Sequence, residues 1–162
     1  MAPQFPDPDW FLALGGLMAA RGEFFRRIGY VEARFVVRVL PDVLPDLLPD
    51  EDSGGEAQTA EQATGVAMEG YALTNAMALA PGDAMSFDPD FVICARRSVW
   101  RRMLEEIAHS GRPELRHTLN SLALIGDELW LESADQLRED KFYRFNQSLQ
   151  ELFNLAAHLP GA

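Results

Sequence analysis

The stretch FVICARRSVWRRMLEEIAHSGRPELRHTLNSLALIGDE, residues 91–128, decides how the chain is read. At its start Phe91, Ile93 and Ala95 alternate with Val92 and Cys94, and no charge appears before Arg96, as in an interior strand. The period then changes. Ser98 can cap a helix whose Val99, Trp100, Met103, Leu104 and Ile107 form one stripe, with Arg101, Arg102, Glu105 and Glu106 on the wet side. Gly111 predicts the stop, and Pro113 opens a short second helix with Leu115 and Leu119 inward. SLALIGDELWLES then reads as a strand, a Gly126-Asp127 turn and a return strand through Leu129 and Leu131.

Upstream, Asp9 to Ile28 reads as a helix that Asp7 or Asp9 can cap, weakened at Gly15-Gly16 and ended by Gly29. In YVEARFVVRVL, residues 30–40, Val31, Ala33, Phe35, Val37 and Val39 share one face and Glu32, Arg34 and Arg38 the other, with Val36 the exception. This period of two predicts a strand with one buried and one wet face. VLPDVLPDLLPD, residues 39–50, follows, with a proline at every fourth position that neither a helix nor a central strand tolerates. Residues 41–65 therefore read as a mobile acidic loop, with seven acids and no Lys or Arg. Val43, Leu44, Leu47 and Leu48 could fold it back as a lid, or it is an insertion without a role.

GVAMEGYALTNAMAL and AMSFDPDFVICAR read as two more strands across an Ala80-Pro81-Gly82-Asp83 turn. Ser133 to Gln136 has the capping-box pattern for a long last helix to about His158, with Leu137, Phe142, Phe145, Leu149, Leu152, Phe153 and Ala156 inward. The order predicts an α+β fold, an antiparallel sheet covered on one face by helices, in a single domain over residues 1–162.

Composition narrows the function. The chain is 48% hydrophobic and 24% charged, as in soluble globular proteins, and has no apolar run long enough for stable membrane insertion. Its net charge of −11 disfavours nucleic acid as a partner. The acidic, proline-bearing start does not resemble an export signal, so a cytoplasmic location is expected. The single Cys94 excludes an internal disulfide and, within its strand, reads as a small buried hydrophobe.

Glu106 and His109 have E-x-x-H spacing, but no second copy accompanies them, so neither metal nor cofactor is expected. The chain has no nucleophile elbow and no glycine-rich phosphate loop, and no catalytic residue is assigned. Arg96, Arg97, Arg101 and Arg102 cluster at a helix start. Either they contact an anion or lipid headgroup, or, the preferred reading, they pair with Glu105, Glu106 and the acidic loop.

Residues 91–133, with strand, polar turn, helix, proline-opened second helix and a strand closing on Gly-Asp, resemble the sterol carrier protein type-two family of small lipid-binding domains. The acidic insertion and the long tail from Asp135 depart from that family's pattern. The resemblance implies a non-enzymatic domain with an apolar tunnel between sheet and helices, holding a sterol, fatty acyl chain or similar molecule. The inward residues expected to line it are Phe35, Val37, Phe91, Ile93, Trp100, Met103, Leu104, Leu124, Phe142 and Phe145. The alternative is an acidic homodimeric interaction module, similar in size, low pI and element order to type III secretion chaperones.

Overall fold

The computed structural model describes residues 2–42 and 60–160. Strand β1 (Val31–Leu40) matches the alternating segment and lies at the centre of a five-stranded sheet. Its neighbours are β2 (Gln62–Gly70), β3 (Ala72–Leu79), β4 (Phe91–Arg96) and β5 (Leu129–Glu132), in the order β3-β2-β1-β4-β5. β2 is antiparallel to β1 and β3 to β2, and β5 is antiparallel to β4, but β1 and β4 run parallel. The sheet is mixed, which corrects the antiparallel expectation. The β2–β3 hairpin occupies one side of β1, so the returning chain adds β4 on the other side, in the same direction.

Asp90 fixes that parallel register. Its backbone N–H donates to the Arg34 carbonyl at 2.6 Å, and its carboxylate accepts the Arg34 N–H at 2.9 Å. Phe91 thereby falls opposite Phe35, and their rings stack 5.6 Å apart at 9°.

Six helices among the described residues place buried side chains in one cluster with this inner sheet face. They are α1 (Pro8–Ala20), α2 (Gly22–Ile28), α3 (Arg97–Ser110), α4 (Leu119–Ile125), α5 (Gln136–Arg144) and α6 (Asn146–Asn154). The opposite face carries a smaller cluster of Val36, Ala63, Val92 and Cys94 under Phe87, which the 3-10 turn Ala84–Phe87 supplies. Val36 breaks the alternation because both faces of β1 are covered here, not one.

Several boundaries differ from expectation. The first helix breaks at Arg21, not at Gly15-Gly16. Gly15 instead lets α1 approach β3, since a methyl there would lie 3.1 Å from the Leu73 Cβ. GVAMEGYALTNAMAL is the end of β2, a tight turn with Gly70 at φ +70° and the whole of β3, so it forms a hairpin. Ser121–Ile125 are helical, because Thr118 caps α4 by accepting the Ser121 N–H at 3.2 Å. Asp135, not Ser133, caps α5, accepting the Arg138 N–H at 2.9 Å. The last helix is divided at Phe145, and Leu137 is 80% exposed where an inward position is expected.

Of the proposed acidic loop, Gln62–Gly65 belong to β2. The proposed lid residues Val43, Leu44, Leu47 and Leu48 lie outside the described residues. Asp42, in the first Pro-Asp of the repeat, anchors a distant element. Its carboxylate accepts the Ser98 N–H at 2.9 Å and so caps α3 from 56 residues away. Ser98, the expected cap, is already inside that helix.

Gly65 is required by the close approach of Phe87, whose ring would lie 2.8 Å from an added methyl. Gly65→Ala should therefore lower stability in urea unfolding by about 1–3 kcal/mol. Gly16, inside α1 with open space around its Cα, should give the opposite sign, Gly16→Ala raising stability by about 0.5–1 kcal/mol.

Candidate functional site: an apolar groove beside the third helix

The amphipathic α3 buries Val99, Trp100, Met103 and Ile107 and leaves a half-buried ridge at Leu104. Trp100 is held by its indole N–H, which donates to the Arg38 carbonyl at 3.3 Å, and by stacking on Phe153 at 5.8 Å. The N-terminal segment crosses above it. Thr64, one of two buried polar residues among those described, donates its hydroxyl to the Pro6 carbonyl and pins that segment to the sheet. Phe5 is thereby set between two indoles, 5.1 Å from the Trp10 ring and 5.3 Å from the Trp100 ring.

Two open grooves flank Phe5. One, of about 340 Å³, runs along Trp100, Leu104 and Ala108 with Arg97, Arg101 and Glu105 at its edge. The other, of about 220 Å³, lies between Trp10, Leu104, Ala108 and the C-terminal residues Ala156 and Leu159. Phe5, Leu104 and Ala108 line both, so the two grooves are neighbours on either side of a phenylalanine. The larger reaches the lower end of the volumes typical of small-molecule sites.

Among the described residues Arg97 and Arg102 have partners other than the expected Glu105 and Glu106, and Arg97 does reach the expected 41–65 segment, through the Ala60 carbonyl and Gln62. Arg102 donates to Glu128 at 2.5 Å, and Arg97 donates to the Gln62 side chain at 2.7 Å. Arg101 is exposed and directed to the groove edge. The floor of the groove is apolar, and its edge carries both Arg101 and Glu105.

The ten residues expected to line a tunnel divide three ways. Phe35, Val37, Phe91, Ile93, Met103, Phe142 and Trp100 are buried in the core, where Phe142 meets the edge of Phe91 at 5.5 Å. Trp100 and Leu104 also line the groove, and Phe145 is half-buried at the break between α5 and α6. Leu124 is 69% exposed, since Ser121–Ile125 turn as a helix and carry it outward. Reading the residues alone missed Phe5, Trp10, Ala108, Ala156 and Leu159. Phe5 stands between prolines in a segment without periodicity, and the others read as ordinary helix positions. Only the arginine cluster signalled this end of α3.

Two further groups have chemistry of their own. Cys94 is fully buried, and desolvation, aided by Glu132, pushes its thiol up to about 12. Glu106 has His117 as its partner, not His109. Its carboxylate accepts from His117 Nδ1 at 2.7 Å and from the Glu114 N–H at 2.8 Å, clamping the 3-10 turn Leu115–His117 onto α3. Glu106, Glu114 and His117 offer ligand atoms within 4.8 Å of one another, but the Glu106 and His117 atoms are engaged in the clamp and Glu114 also takes a bond from Arg116. No helix of the described residues is long and apolar enough to cross a membrane.

The architecture around the groove is shared with two solved structures. The crystal structure of sterol carrier protein 2 superposes with a TM-score of 0.62 at 21% identity, over 96% of this chain and 99% of that one. A conserved hypothetical protein from Thermus thermophilus, TT1886, described as a sterol carrier protein candidate, gives 0.61 at 20% identity, over 98% of this chain and 90% of that one. No protein-family model matches the chain, and no curated protein does. The fold is therefore α+β of the sterol-carrier type.

Cys94 should resist alkylation by iodoacetamide at neutral pH in the folded protein and react once urea unfolds it, because burial suppresses the thiolate. Glu106 gives a pH signature. Burial opposes its charge, but the Glu114 N–H and His117 outweigh that and hold its carboxyl below the usual range. The clamp is complete above the unfolded glutamate pKa and is lost as pH falls through the lower folded value. Glu106→Gln should flatten the loss of stability between roughly pH 5 and pH 3 in denaturant titrations, where wild type weakens.

Proposed function

We propose that the protein is a non-catalytic carrier of an elongated apolar molecule with an anionic end, such as a fatty acid. The apolar part would lie against Trp100, Leu104 and Ala108, and the charged end would meet Arg101. The observation that carries this is the pair of neighbouring grooves that share Phe5, Leu104 and Ala108, with Arg101 at the edge of the larger. The sterol-carrier fold supports the same class of cargo. A long chain needs little polar recognition, because each methylene removed from water contributes about 0.8 kcal/mol.

Of the residues first expected in a tunnel, Trp100 and Leu104 would touch the guest. Phe35, Val37, Phe91, Ile93, Met103, Phe142 and Phe145 would support the wall behind it, and Leu124 would take no part. Phe5 would act as a movable divider, since its ring is only half-buried and its segment is pinned at Pro6. The chain would work as one domain in the cytoplasm.

A dansylated fatty acid should bind saturably and be displaced by unlabelled oleate. Leu104→Arg, at a half-buried position shared by both grooves, should weaken binding at least about tenfold, as expected when a chain of methylenes loses its wall. Arg101→Glu should weaken the acid but leave its methyl ester unchanged. Absence of saturable binding, or equal affinity in wild type and Leu104→Arg, would refute the proposal.

A further inference from the structure

The two edges of the sheet are unlike. β5 is four residues long, ends in Glu132, follows Glu128 directly and is flanked by α4. Both acids are engaged, Glu132 by Arg38 and Glu128 by Arg102. Short, charged edges are how proteins prevent further strand pairing. β3 is neither short nor charged, although α1 packs against its inner face. It is eight residues long, ALTNAMAL, and residues 70–82 carry no charged side chain in a chain of net charge −11. It contains no proline, and among the described residues only β2 pairs with it.

The regular part of this edge is short. A bulge opposite Ala67/Met68 interrupts the β2–β3 ladder, leaving Asn75 to Leu79 in unbroken register. Met77 is the centre of that run and lies on the outer face, paired with Gly65, where it is 44% exposed. Met85, on the neighbouring 3-10 turn, is exposed to a similar extent.

We propose that β3 pairs antiparallel with β3 of a second copy of this chain, about a two-fold axis at Met77, to make a continuous ten-stranded sheet. An antiparallel two-fold pair sets each residue against one at the mirrored position, so Met77 faces Met77, Ala76 faces Ala78 and Asn75 faces Leu79. Every side chain on these pairs is neutral, and the inner-face pair is two alanines, which lets the backbones close without a clash. Two copies of net charge −11 repel one another overall, and the charge-free run of 70–82 keeps like charges out of direct contact along this edge. The occupant is a second copy because mirroring about Met77 sets only neutral side chains against one another, so a chain with an excess of acids can meet itself here without opposing like charges. The groove beside α3 is lined by none of these residues, so self-pairing does not depend on cargo.

Sedimentation equilibrium of the purified full chain should show a concentration-dependent monomer–dimer equilibrium. Met77→Lys, which sets two ammonium groups across the axis, should shift it at least about tenfold toward monomer with an unchanged circular dichroism spectrum. Met77→Cys gives an independent reading, since directly opposed residues of antiparallel strands lie within disulfide reach. Under mild oxidation it should form covalent dimers, while Leu137→Cys, on the exposed surface of α5, should not; the buried native Cys94 does not compete. A wild type that remains monomeric at high micromolar concentration overturns the proposal. So does a folded Met77→Lys that dimerises like wild type, or equal cross-linking of the two cysteine variants.

Discussion

Phe35 and Phe91 stand opposite each other on parallel strands, with their rings stacked at 5.6 Å. Parallel strands survive only when both faces are shielded from water. The inner face is shielded by six helices, among which Phe142 closes on Phe91 and Trp100 on Phe153. The outer face is shielded by Phe87, and that ring fits only because residue 65 has no side chain. Asp90 keeps the two strands in register through two hydrogen bonds to Arg34, and Lys141 reaches the same carboxylate at 3.1 Å. Each element is placed by the need to cover this central pair.

A core of interlocked aromatic rings displaces the functional question to its rim. Burying each of these side chains stabilises the fold by about 1.5–3 kcal/mol, so emptying the centre to admit a guest would be costly. The rim between the N-terminal segment, α3 and the C-terminal turn has no such cost. There Phe5 is half-buried, Leu104 is half-buried, and Arg101 stands at the groove edge.

How much is legible in advance depends on distance along the chain. β1 and the stripe of α3 can be read to within a residue or two, because periodicity is a local property. The lipid-carrier resemblance rests on residues 91–133, and the fold agrees with it. Ser121–Ile125 read as a strand but fold as a helix: five mostly apolar residues fit either period, and the Thr118 cap decides the matter. Cys94 reads as buried, and it is. Leu124 and Leu137 read as inward and point outward, because a change of period or a slip of about two residues in helical phase moves a side chain from core to water.

The sequence by itself determined which segments are amphipathic, where glycine and proline end them, and that the chain carries an excess of negative charge. It determined this because each of those properties depends on neighbours a few residues away. Only the tertiary structure decided that β1 and β4 run parallel, that Asp42 caps a helix far along the chain, and that Phe5 sits between Trp10 and Trp100 with a groove on either side. Those arrangements bring together groups that are distant in sequence, and the covering of two strand faces, which no local period encodes, selects among them.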